Sequence, residues 1–125
     1  MQNKAAYAYQ QVGNKTVAPR VLEANLLSKA AAQLQRVRDD WEEQFPELTE
    51  ALAYNRKLWT VFLGSVTGDQ SDLPRGLREN IANLGIFVMK QTLEIQAAPK
   101  PEKLTVLINI NRELAAGLRT DSSAA

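Results

Sequence analysis

The chain has 125 residues, 45% of them apolar, enough for one domain that buries a core and keeps a face free. Its 15 basic and 14 acidic side chains leave a formal net charge of +1, which argues against a surface built for nucleic acid or anionic lipid. With no Cys and no His, disulfides, thiolate chemistry, structural zinc and a His-dependent hydrolase are excluded, and no run of about 20 apolar residues offers a bilayer span.

Met1 to Asn14 predicts a short N-terminal helix carrying Tyr7 and Tyr9 and ended by Gly13-Asn14. Met1 to Gln11 is polar and lacks the apolar core of a signal peptide, so a cytoplasmic protein is expected. Pro19 suits the first turn of a helix running to about Gln44. Leu27, Ala30, Leu34, Val37 and Trp41 form its stripe at three- and four-residue steps, flanked by Ala24 and Ala31. Pro46 opens the next helix, to about Val66, with Leu48, Ala51, Leu52, Asn55, Leu58, Trp59, Phe62 and Val66 on one side. The segment from Gly68 to Asp72 reads as a loop, with Asp72 placed to cap the helix after it.

Pro74 starts a helix to about Gln96 that is apolar on two sides. Leu77, Ile81, Leu84, Val88 and Ile95 form one stripe; Ala82, Ile86, Met89 and Leu93 lie nearly opposite. Either the helix is central in its bundle, or the second stripe lines a groove for an amphipathic helix, to which Met89 is suited. Pro99-Lys100-Pro101 breaks the chain before a last helix, Pro101 to about Arg119, with Leu104, Leu107, Ile108, Asn111, Leu114, Ala115 and Leu118 as its stripe. The expected fold is all-α: a bundle of four long helices plus the short N-terminal one, in a single domain over residues 1–119, with 120–125 a frayed polar tail.

Asn55 and Asn111 interrupt apolar stripes, and Asn80 borders another, so the three are read as a structural amide network. Trp41, Trp59, Phe62 and Phe87 have core spacing. Arg56, Arg75, Arg78 and Arg112 beside the stripes are read as a salt-bridged surface. No isolated carboxylate pair, phosphate loop or nucleophile elbow is present, so neither an enzyme nor a cofactor or metal site is expected. The partner-binding candidates are Ala82, Ile86, Met89 and Leu93, then Tyr7, Tyr9, Leu22 and Leu26.

Three words carry a resemblance: Asn55-Arg56-Lys57-Leu58-Trp59; Leu73-Pro74-Arg75-Gly76-Leu77-Arg78-Glu79-Asn80-Ile81-Ala82-Asn83-Leu84-Gly85-Ile86-Phe87-Val88; and Ile108-Asn109-Ile110-Asn111-Arg112-Glu113-Leu114-Ala115-Ala116-Gly117-Leu118. With Tyr7-Ala8-Tyr9 and the helix from Pro19, they resemble the flagellar biosynthesis regulator FlaF family over nearly the whole chain. The resemblance implies a non-enzymatic helical protein that binds flagellin and supports its synthesis and secretion, as an export chaperone or regulator. It also implies a regulatory alternative: action on flagellin translation through the partner regulator FlbT or the mRNA, or as an adaptor to the export apparatus. No membrane partner is implied, and the charge balance argues against direct contact with RNA.

Overall fold

The computed structural model of the protein describes residues 19–68 and 71–124. The expected N-terminal helix, with Tyr7 and Tyr9, lies outside the described residues. The elements are α1 (Pro19–Asp39), α2 (Trp41–Gln44), α3 (Leu48–Thr67), α4 (Arg75–Ala97) and α5 (Thr105–Ala124), with 3₁₀ turns at Phe45–Glu47 and Pro101–Leu104. The protein is an all-α bundle of four long helices, and no strand occurs among the described residues.

The boundaries differ from the sequence expectation for local reasons. The first helix bends at Asp40, whose φ of −128° and ψ of 55° leave the helical region. Two successive Asp residues favour helix ends over helix interiors, and the Asp39 carboxylate is taken by Arg38 at 2.9 Å. The Asp40 N–H still donates to the Arg36 carbonyl at 3.1 Å and the Gln44 N–H to the Asp40 carbonyl at 2.8 Å, so the break is a bend rather than a loop. Pro46 and Pro101 each open a single 3₁₀ turn, and the α-helices start just after them. The last helix extends to Ala124, beyond the Arg119 at which the apolar pattern ends.

The core is closed by α1, α3 and α5. Ala24, Leu27, Ala31, Leu34 and Val37 of α1 meet Leu107, Ile108, Ala115 and Leu118 of α5, the most extensive helix pairing in the molecule. Trp59 and Phe62 of α3 pack edge to face with ring centroids 5.6 Å apart. Polar ties hold both ends of the α1–α5 pair: Arg38 Nη1 donates to Thr105 Oγ1 at 3.1 Å, and Arg119 Nη2 to Asn25 Oδ1 at 2.9 Å and Ser28 Oγ at 3.0 Å.

Helix α4 is peripheral, not central. It packs chiefly on α3 and otherwise meets the turn at Pro101. Ile81, Gly85, Val88, Thr92 and Ile95 form its buried line. The approach to α3 is close at Gly85, where a Cβ would lie 2.5 and 2.8 Å from the two δ carbons of Leu63.

Candidate functional site

Two polar clusters hold the helices in register. Inside the core, Trp59 Nε1 donates to Asn111 Oδ1 at 2.9 Å, and Asn111 Nδ2 donates to Asn55 Oδ1 at 2.7 Å and to the Leu27 carbonyl at 3.4 Å. Both amides are fully buried, so α1, α3 and α5 share one hydrogen-bonded knot. Among the described residues, Asn55 Nδ2 has no partner. Asn80 is exposed on α4 and takes no part, because it stands about 100° round the helix from the buried Ile81.

The second cluster lies where α1 starts and α3 ends. Arg20 donates through Nε and Nη2 to Asp72 Oδ1 at 3.0 and 2.6 Å, and through Nη1 to Glu23 and to Ser65 Oγ. Ser65 Oγ donates in turn to Glu23 Oε2 at 2.7 Å. The Arg20 hydrogen bond holds the Asp72 carboxyl below the usual carboxylate range. Burial works against the Arg20 charge, but the Asp72 and Glu23 carboxylates outweigh it and raise the guanidinium pKa. Asp72 therefore does not cap the following helix. Pro74 occupies the N-cap of α4, with no side-chain cap bond.

The open feature is the crevice between the antiparallel helices α3 and α4. Three depressions lie along it. One, of about 220 Å³, is lined by Thr67, Arg75, Arg78, Glu79 and Ala82. The middle one, about 610 Å³, is lined by Ala53, Arg56, Lys57, Thr60, Val61 and Met89. The third, about 350 Å³, lies among Phe45, Leu48, Thr49, Leu52, Gln96 and Pro99. As the α3 positions fall from Thr67 through Thr60 to Thr49, the α4 positions climb from Ala82 through Met89 to Gln96, so the three depressions follow one another in antiparallel register along the two helices. At 1.5 Å per residue the stretch from Thr49 to Thr67 is about 27 Å long, room for a partner helix of about 18 residues. Large apolar side chains remain in water beside it: Ile86 is 55% exposed, Leu93 65% and Val61 65%. A further depression lies among Lys29, Ala32, Gln33, Arg36 and Tyr54, and none of the large exposed apolar side chains lines it.

A family model described as flagellar protein FlaF matches residues 5–118. The chain belongs to the FlaF family. No curated protein and no solved structure matches it. The matched span of FlaF includes α1 to α4 whole and most of α5, and so both walls of the crevice.

Of the FlaF residues singled out in the sequence, Ala82, Ile86, Met89 and Leu93 fall on one side of α4 along the crevice. Ala82 and Met89 are half-buried and line two of the depressions, whereas Ile86 and Leu93 are exposed and line none of the three. Leu22 and Leu26 lie half-buried on α1 and line none of the three depressions. Tyr7 and Tyr9 lie outside the described residues. Phe87 is not core: it is 41% exposed, because it stands about 100° from Val88, on which the buried line of α4 is centred. Trp41 is only half-buried and packs edge to face with the exposed Phe45, 5.2 Å between centroids, at the bend after α1. Val61 and Phe45 are not evident as surface anchors from the sequence. Val61 fits no stripe, and an apolar residue outside every stripe is the signal that points to it.

Proposed function

We propose that this protein is a non-enzymatic, cytoplasmic flagellin-binding protein that supports flagellin synthesis and secretion by holding an amphipathic flagellin segment in the α3/α4 crevice. The observation that carries the reading is the exposure of Ile86 and Leu93 on the side of α4 that also carries Ala82 and Met89, which line the crevice. Side chains of this size, aligned along a concave surface, are the usual mark of an interaction site, and a helix-in-groove complex uses anchors at three- and four-residue steps. Membership of a flagellar family supports the choice of flagellin. Among the described residues no helix is long and apolar enough to cross a membrane. A partner segment that orders only on binding lowers the affinity per unit of contact, which leaves release feasible.

The test is the double change Ile86→Ser and Leu93→Ser, followed by titration with purified flagellin. Binding is expected to weaken by at least about tenfold, equivalent to 1.4 kcal/mol, while the helical circular dichroism spectrum stays as in the parent. A folded double variant that binds flagellin as tightly as the parent would remove this site.

A further inference from the structure

The charges around the crevice are lopsided in a chain that is otherwise balanced. Its depressions are lined by four cations, Arg56, Lys57, Arg75 and Arg78, against one carboxylate, Glu79. Glu79 is committed to Arg75, at 3.2 Å in a highly exposed pair. Among the described residues, Arg56, Lys57 and Arg78 have no carboxylate within 4.0 Å. Arg78 donates from Nη1 to the Gly68 carbonyl at 3.3 Å, and its buried Nε has no partner among the described residues. Helix α4 adds to the positive field: its first turn carries no acidic residue and its N-cap makes no side-chain bond, so nothing within that turn offsets the dipole's positive end beside Arg75 and Arg78.

We propose that the crevice selects an amphipathic helix of another protein that carries carboxylates beside its apolar stripe. The proposal rests on the reading of the crevice as a binding groove and names the chemistry of the helix that fills it. The cations form two groups. Arg56 and Lys57 flank the middle depression, and Arg75 and Arg78 flank the one at Thr67. From Arg56 to Thr67 along α3 is about 16 Å, three helical turns. A matching partner places acidic residues about eleven positions apart, with apolar anchors between them over Ala82, Ile86 and Met89. Covering the groove removes water from Arg56 and Lys57, which have no carboxylate among the described residues, and charge-assisted bonds to the partner's carboxylates replace it. Before contact, the same cations speed encounter with an acidic partner, an effect that salt screens. RNA suits the surface less well, since among the described residues no aromatic ring lines the middle depression to stack a base.

The probes are two synthetic peptides of about 18 residues with one shared Leu/Ile stripe, flanked in one by Glu and in the other by Lys. Fluorescence anisotropy with the full chain, at about 50 mM and about 500 mM NaCl, reads the preference. The Glu peptide is expected to bind at least about tenfold tighter at low salt, with the ratio collapsing at high salt. The exposed-charge variant Arg56→Gln/Lys57→Gln/Arg75→Gln is expected to keep its helical spectrum and lose the preference while still binding through the stripe. Equal binding of the two peptides, a preference for Lys, or a preference indifferent to salt overturns the charge proposal and leaves the groove standing, provided Ile86→Ser/Leu93→Ser abolishes binding. Binding of neither peptide, or binding unaffected by the stripe variant, removes groove and charge proposal together. Displacement of the Glu peptide by micromolar single-stranded RNA assigns the cations to nucleic acid and also overturns the inference.

Discussion

Helix α3 has two sides that obey opposite rules. On one, Asn55 and Trp59 are sealed against α1 and α5, and Asn111 joins them in a chain of hydrogen bonds. On the other, Ala53, Arg56, Lys57, Thr60 and Val61 face a depression that water can enter, and two of the cations lack a carboxylate among the described residues. The sealed side shows how a small bundle uses its polar groups when it needs one arrangement: all but the Asn55 Nδ2 are drawn into pairs, because an orphan in the interior is costly. The open side keeps apolar and charged groups unpaired together, a combination that lowers no energy within the free chain. The contrast separates the residues that hold the protein together from those it presents outward.

The contrast is sharpest in the expected effects of substitution. Trp59→Ala on the sealed side is expected to cost about 3–5 kcal/mol, and Asn111→Leu about 1–3 kcal/mol, since it strands the Trp59 N–H and the Asn55 carbonyl. Both are read as a fall in urea midpoint, and a midpoint unchanged by Asn111→Leu would show the knot to be dispensable. Gly85→Val sits on the boundary between the two sides. It forces Leu63 aside and is expected to cost about 1–3 kcal/mol, whereas Gly117→Ala, with no atom within 4 Å of the added carbon, should gain about 0.5–1 kcal/mol from helix propensity alone. Equal effects at the two glycines would mean that α4 does not lean on α3 as tightly as described.

A smaller effect is expected at Asp72. Its folded-state pKa is depressed by Arg20, so its contribution is complete above the unfolded value near 3.9 and is lost as pH falls through the lower folded value. Thermal melts from about pH 5 to about pH 2 should show the parent losing more stability than Asp72→Asn over that window; parallel curves would mean the Arg20 pair contributes nothing. Least of all, Ile86→Ser and Leu93→Ser should each move stability by no more than about 0.5 kcal/mol, the usual range for exposed sites. A loss of several kcal/mol in the melt would place those side chains in the core and close the groove.

The helices that bury a single stripe are legible directly. Leu27 and Leu34 in α1, and Leu107, Ile108 and Leu118 in α5, recur at helical steps and are all buried. Helix α4 does not resolve in the same way, because periodicity counts apolar faces without saying which neighbour covers each. Asn55 and Asn111 are conspicuous for standing in apolar stripes, but their link through Trp59 depends on three helices meeting, which no local pattern encodes. Asp72 departs from its expected capping role because a capping signal is local, and the long-range pull of Arg20 prevails. The unpaired cations do leave a trace in the spacing of charges. Of the four arginines beside the stripes, Arg75 alone has an acidic residue four positions on, at Glu79, while Arg56 is followed there by Thr60, Arg78 by Ala82 and Arg112 by Ala116.

Because α4 rests on α3 along one line and leaves α1 and α5 to close the core between them, the two halves of the molecule need not open together. In native-state hydrogen exchange the backbone amides of α4 should trade protons for deuterons through a local opening, well before those of α1 and α5, whose release requires the whole chain to unfold. The far wall of the crevice is then a door hung on the Gly85–Leu63 contact, able to adjust its width to the helix it receives while the Asn55–Asn111 knot stays shut behind it.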